Sequence, residues 1–183
     1  MAKLSGDELV NMKALVAALS LGLAGCASTS IEQYKDDQPA LDPVSYLNGT
    51  LDAWGIFQGR SGEVKRRFYV EIDASWEGDI GTLDERFSWS DGEESRRIWT
   101  LERLPDGTFR GTADDVVGEA VGEVSGNALR WKYVLALPVG ERVFHVTLDD
   151  WMFLMDDKVM LNRSYMSKWG INLGEISITF VKR

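Results

Sequence analysis

The stretch Phe144–Trp169, FHVTLDDWMFLMDDKVMLNRSYMSKW, decides the fold. Two apolar–polar alternating runs meet at Met155-Asp156-Asp157-Lys158, and a period of two marks strands with one buried face. A symmetric turn between Asp156 and Asp157 sets Leu154 opposite Val159, Met152 opposite Leu161 and Asp150 opposite Arg163. Continued outward, it sets Leu148 opposite Tyr165 and Phe144 opposite Trp169. Residues two apart share a face, so this register predicts one apolar ladder enclosing a carboxylate–guanidinium pair, Asp150 with Arg163.

Two more turns extend the pattern toward the amino end. Gly126-Asn127 pairs Val124 with Leu129, Gly122 with Trp131, Ala120 with Tyr133 and Gly118 with Leu135, so small residues face large ones. On the other face Glu123 lies opposite Arg130. Val139-Gly140, after Pro138, sets Leu135 against Phe144, Tyr133 against Val146, Trp131 against Leu148 and Leu129 against Asp150. Three turns thus assign one inner face to four consecutive strands. Strand signals recur from Leu51 onward. Phe68, Val70, Ile72, Ala74 and Trp76 form an alternating run, Leu83–Trp89, Ile98–Leu104 and Phe109–Asp114 follow, and Ile176, Ile178 and Phe180 share the last face. Pro105-Asp106-Gly107 is a turn with proline presetting φ and glycine accepting positive φ. Nine or ten antiparallel strands in an up-and-down meander predict an all-β, lipocalin-like closed barrel whose interior has room for a small ligand.

A net charge of −9 with no basic stripe excludes nucleic acid as a partner. One cysteine and one histidine give no disulfide and no Cys/His metal cage, and no cofactor motif is present. That cysteine ends the run Leu23-Ala24-Gly25-Cys26, preceded by a short apolar core from Ala14. The order of charge, apolar run, small residues and cysteine reads as a lipoprotein signal, with translation expected to begin at Met12 because Asp7 and Glu8 suit no signal n-region. The expected organisation is a signal peptide over 1–25, a lipidated tether over 26–44 and a barrel over 45–183. Asn48-Gly49-Thr50 is a sequon by pattern only.

Leu23–Cys26 resembles a bacterial lipobox, which implies acylation of Cys26 and stable membrane anchoring. Ala27 after it implies the periplasmic face of the outer membrane. Gly126 through Tyr133, Asp149-Asp150-Trp151-Met152, Asn162-Arg163, Met166 and Gly170–Gly174 resemble the domain-of-unknown-function 3833 family of proteobacterial lipoproteins. That resemblance brings no established activity and implies a lipid connection. A looser similarity to lipocalins concerns architecture alone, since Trp54-Gly55 reverses their Gly-x-Trp order and Lys182-Arg183 end the chain.

The candidate ligand-binding residues are Asp150, Arg163, Trp131, Tyr133, Tyr165 and Leu148, all on the ladder's inner face. Arg163, held by Asp150, would receive an anionic end such as a fatty-acid carboxylate; the plain alternative is a register-fixing ion pair. Aromatic residues on an inner face are core more often than ligand box. Trp151, Phe153 and Met160 fall on the outer face, where an apolar cluster marks contact with a membrane, the tether, an outer helix, a second copy or a partner protein; the plain alternative is a local inversion of faces near the turn. His145 with Asp149 and Ser164 makes a thin enzyme reading, since no nucleophile elbow accompanies them. The functional expectation is therefore a membrane-anchored binder of an apolar or amphipathic ligand. The alternatives are a lipid-modifying enzyme of the envelope or a structural lipoprotein docking a partner. Intact-mass analysis of membrane-extracted protein is expected to show Cys26 as an acylated first residue, and Cys26→Ser should remove the acyl mass and release the protein from membranes.

Overall fold

Each strand buries every second side chain, and closure on itself gives such strands a common interior without leaving an edge. The structure, a computed structural model, describes residues 29–183; the segment expected as a signal peptide, with Met12, and the expected acylation site Cys26 lie outside them. Ten strands form a closed antiparallel barrel in chain order. They are β1 (Gly49–Gly59), β2 (Val64–Glu77), β3 (Ile80–Trp89), β4 (Glu94–Arg103), β5 (Phe109–Thr112), β6 (Ala120–Ser125), β7 (Ala128–Val139), β8 (Arg142–Leu154), β9 (Val159–Lys168) and β10 (Ile171–Lys182). β10 pairs with β1 from Leu51↔Lys182 to Gly59↔Gly174, which closes the ring. The interior holds one continuous apolar cluster that includes Leu51, Ile72, Trp99, Leu148 and Met160.

The three predicted turns behave differently. Gly126-Asn127 keeps its register, with Gly122↔Trp131 and Glu123↔Arg130. A Cβ on Gly122 would stand 2.4 Å from the Trp131 ring, so the indole covers the glycine as the pairing requires. Gly118 is not in that ladder, and Val116 bridges Leu135 instead. The β7–β8 loop is Gly140-Glu141, closed by Val139↔Arg142, so Trp131 meets Asp150 and Tyr133 meets Leu148. That is a slip of two residues, which preserves faces.

The β8–β9 turn slips by one. Met155 N donates to Val159 O at 2.8 Å, and Asp156 Oδ1 accepts from the backbone nitrogens of Lys158 (2.9 Å) and Val159 (2.7 Å). The loop therefore has three residues instead of two, and an odd loop exchanges the faces of everything after it. Leu154 pairs with Met160, Trp151 with Arg163 and Asp150 with Ser164. Met160, Asn162, Ser164 and Met166 face inward, whereas Leu161, Arg163 and Tyr165 face out. Trp169 forms the β9–β10 turn with Gly170 and is 89% exposed rather than paired with Phe144.

The segment expected as a free tether packs on the barrel from Ile31 onward. A 3-10 turn, Ile31–Tyr34, seats Ile31 and Tyr34 on Trp151, Phe153 and Ala128. Tyr34 meets both aromatic rings edge-on, at 5.0 Å to Phe153 and 6.1 Å to Trp151. The chain then passes under the β6–β7 turn, where Leu41 N donates to Gly126 O at 2.8 Å. A single helical turn, α1 (Pro43–Tyr46), follows; Asp42 caps it and Pro43 presets its first φ. Tyr46 Oη donates to Lys158 O at 2.9 Å and Trp76 Nε1 donates to Leu47 O at 2.7 Å, so α1 stoppers one end of the barrel. Gly126 sits at φ +54°, and a Cβ there would stand 1.8 Å from Tyr34 O. Gly126→Ala should therefore cost about 2 kcal/mol or more in urea unfolding, with tryptophan emission red-shifting as the strap lifts; an unchanged midpoint would show that the strap does not bear on this turn.

Candidate functional site

Inside the barrel lies a cavity of about 530 Å³. Leu47 and Pro43 of the strap floor it, and its walls include Ile72, Leu83, Trp131, Leu148, Met160 and Ile178. Trp99 packs edge-on against Trp131 and Tyr133, with ring centroids 5.8 and 5.3 Å apart. At the end away from α1, the lining runs up to Phe57, Arg66, Trp89, Ser95 and Pro138, beside the β1–β2, β3–β4 and β7–β8 turns.

One wall is polar. Glu85 of β3 and Arg97 of β4 are cross-strand partners on the inner face, and Asp150 of β8 lies across the cavity's lining with them. Arg97 is committed to Asp115, its Nε donating to Oδ1 at 3.0 Å and its Nη2 to Oδ2 at 2.6 Å. Glu85 Oε2 stands 3.9 Å from Arg97 Nη1, an ion pair without a hydrogen bond. Asp150 pairs in register with Ser164, and Asn162 is its diagonal neighbour on the same face. Both are buried, and Asn162 Oδ1 has no hydrogen-bond partner. Ser164 Oγ stands near enough to favour the Asp150 carboxylate, but its geometry falls short of a hydrogen bond.

The Arg97–Asp115 pair also closes the wall. β5 and β6 stop at Thr112 and start at Ala120, so a loop fills the space between the upper halves of β4 and β7. The loop bonds to β7 through Val117 N→Val134 O and Ala136 N→Asp115 O, each 2.8 Å. Among the described residues no backbone bond joins it to Glu94–Trp99 of β4, and Arg97 spans that seam with its side chain.

Burial dominates the electrostatics. It pushes Asp150 from 3.8 up to about 7, with Ser164 and then Arg97 pulling the other way. It pushes Glu85 from 4.5 up to about 7, again against Arg97. The Glu85 side chain, part of the cavity lining, is only 13% exposed, so desolvation prevails. The Tyr133 phenol is raised well above 10, chiefly by burial.

Of the residues expected to bind, Asp150, Trp131, Tyr133 and Leu148 line the cavity. Arg163 and Tyr165 do not. Arg163 is exposed, donates to Glu175 Oε2 from Nε (3.0 Å) and Nη2 (2.7 Å), and lies over the Tyr165 ring on the outer wall. The three-residue turn put them there. The interior guanidinium is Arg97. Both it and Glu85 were readable as charges in otherwise apolar columns, Leu83-Glu85-Phe87-Trp89 and Ser95-Arg97-Trp99-Leu101. The outer apolar cluster divides likewise, because Trp151 and Phe153 are covered by this chain's own strap and Met160 lies in the core. His145 is exposed while Ser164 is interior, so those two cannot share a catalytic set with Asp149. Asp149 instead binds Arg130 bidentately at 2.8 and 2.6 Å, and Arg130 caps the Trp151 ring.

The family model described as "Protein of unknown function (DUF3833)" matches residues 20–182. The chain belongs to the domain-of-unknown-function 3833 family. In this family member the residues that carry the resemblance split between the faces. Asp149, Trp151 and Arg163 work outside, whereas Asp150, Met152 and Asn162 line the cavity. No curated protein matches the chain significantly. Its barrel is similar to that of the S-type phycobiliprotein lyase from Guillardia theta, at a TM-score of 0.60 and 8% identity over 85% of this chain and 98% of that one. At that identity the likeness is one of fold: a closed, lipocalin-like β-barrel.

Asp150 has a folded value above its unfolded one, so it stabilises the fold fully below about pH 4, and the benefit disappears as pH rises to about 7. Asp150→Asn does not titrate there. The stability of the Asn variant relative to the native protein should therefore climb between about pH 4 and 7 and level off above, as read by urea unfolding at stepped pH. A flat difference would mean that Asp150 is solvated or ion-paired.

Proposed function

We propose that this family member binds an elongated, mostly apolar molecule inside its barrel, held at the bacterial outer membrane by an acylated Cys26. The observation that carries the reading is a cavity of about 530 Å³, floored by Leu47 and Pro43 and walled mainly by apolar side chains. Its size falls within the range of small-molecule sites, and apolar walls with a few convergent polar groups are what such sites use. Ten strands give the barrel an interior wider than the eight-stranded size that side chains just fill. Gly111 and Gly122, both against Trp131, keep bulk off one wall. The exposed Val139, Val143, Trp169 and Ile171 lie at or beside the turns of the unstoppered end, where an amphipathic molecule would enter.

The ligand's apolar body would lie along Ile72, Leu83, Leu148 and Ile178, with its polar end at the Glu85–Arg97–Asp150 wall. Arg163 plays no part in this reading. The test is native mass spectrometry of detergent-free protein together with uptake of the uncharged dye Nile red. Retained small-molecule mass and saturable dye emission are expected, and Met152→Trp should reduce uptake several-fold while leaving the far-ultraviolet spectrum intact. Ligand-free protein that ignores the dye would sink the reading.

A further inference from the structure

We infer, on the premise that the cavity holds a ligand, that the ligand's polar end is an amine or other cationic hydrogen-bond donor rather than an anion. The cavity lining holds four carboxyl groups, Glu85, Glu93, Asp115 and Asp150, and three guanidinium groups, Arg66, Arg96 and Arg97, of which Arg97 stands beside Glu85 on the inner wall. Arg97 has no free fork to offer, because Asp115 takes its Nε and Nη2 bidentately and Glu85 stands over Nη1. An incoming carboxylate or phosphate would meet a cation already neutralised and two further acids. It would have to be buried unpaired or displace Asp115 from the wall.

An amine meets the opposite situation. Asp150 is 6% exposed and has no cation bonded to it, and Asn162, 5% exposed, presents Oδ1 without a donor. With Ser164, they form a group of acceptors on neighbouring inner positions of β8 and β9. A protonated amine carries three donors, which the Asp150 carboxylate, Asn162 Oδ1 and Ser164 Oγ can accept. The titratable groups of the lining divide by element. β3 contributes Glu85, β4 contributes Arg97, the β5–β6 loop contributes Asp115 and β7 contributes Tyr133. Arg66 and Arg96 line the mouth, away from Asp150; Arg66 Nη2 donates to Asp91 and Glu93 while its Nε has no partner, and Arg96 donates to Asp84. β9 and β10 add no charged side chain to the lining. The ligand class is therefore a long-chain amine, amino alcohol or similar cationic amphiphile.

Full chain carrying Cys26→Ser, purified without detergent, is loaded with Nile red and titrated with decylamine, decanol and decanoate below their micellar concentrations. At pH 8 decylamine should displace the dye at roughly tenfold lower concentration than decanoate, with decanol between them. The advantage should shrink as pH falls through about 7, where Glu85 and Asp150 take up protons. Glu85→Gln with Asp150→Asn should abolish the amine preference, so that the decylamine and decanoate displacement curves converge. Should that variant misfold, calorimetry of the unsubstituted protein in two buffers of different ionisation enthalpy serves instead, and amine binding near pH 7 should release protons. Decanoate binding as well as decylamine, or amine binding without proton release, overturns the inference while the ligand-binding reading stands. Failure to take up Nile red at all would remove that reading first.

Discussion

Nine residue pairs between β1 and β10, separated by almost the whole length of the barrel, convert a sheet into an enclosure. Every other property follows from that closure. Without it, Ala53, Phe57, Ile178 and Phe180 would line an open surface, and Glu85 and Asp150 would stand in water at ordinary acidity. Outside, Arg183 crosses the join and binds Asp52 of β1 and Glu71 of β2. Exposed ion pairs of this kind contribute little stability, so Arg183 fixes register more than it holds strands together. Cohesion comes from the apolar columns within, where Leu51, Ile72 and Met160 are almost wholly buried.

The strap solves two problems created by the same barrel. The carboxyl half of β8 carries apolar residues on both faces, and the outward pair, Trp151 and Phe153, would otherwise be exposed to solvent. Residues 31–34 cover them, and residues 41–47 then close the adjacent end. Cover and stopper belong to one continuous segment, so the site's floor is tied to the packing of an aromatic cluster on the outer wall. Gly126 permits the crossing between the two, since its missing side chain is the space Tyr34 O occupies.

Strand count, meander topology, closure and the inner faces of β2, β6, β7, β8 and β10 were legible because alternation survives any even slip of register. β7–β8 shows this: the turn sits one residue later than its sequence suggested, yet Trp131, Tyr133, Leu148 and Asp150 stay inside. β8–β9 shows the converse. Asp156-Asp157 suits a two-residue turn on composition, but Asp156 accepts two backbone bonds and closes three residues, which turns Arg163 and Tyr165 outward. Loop parity is not written in residue preferences at that point. Glu85 and Arg97 were visible as lone charges in apolar columns, whereas their meeting with Asp115 depends on a loop whose path only packing against β7 determines. The strap was read as polar linker because its anchors, Ile31, Tyr34, Leu41 and Tyr46, follow no period.

The short β5 and β6 have a further consequence for how the wall moves. Around the rest of the ring, adjacent strands are joined by backbone ladders that must break cooperatively. Between Glu94–Trp99 and the β5–β6 loop, a single side-chain fork takes the place of a ladder. Local opening should concentrate there, and the amides of β4's upper half would exchange with solvent well before those of β7 or β8. That strand edge also shows free peptide groups, yet Glu94 and Arg96 stud it with charge, which discourages a second chain from adding a strand. The barrel thus has a hinge-like slit in its side, guarded against self-association by the residues that border it.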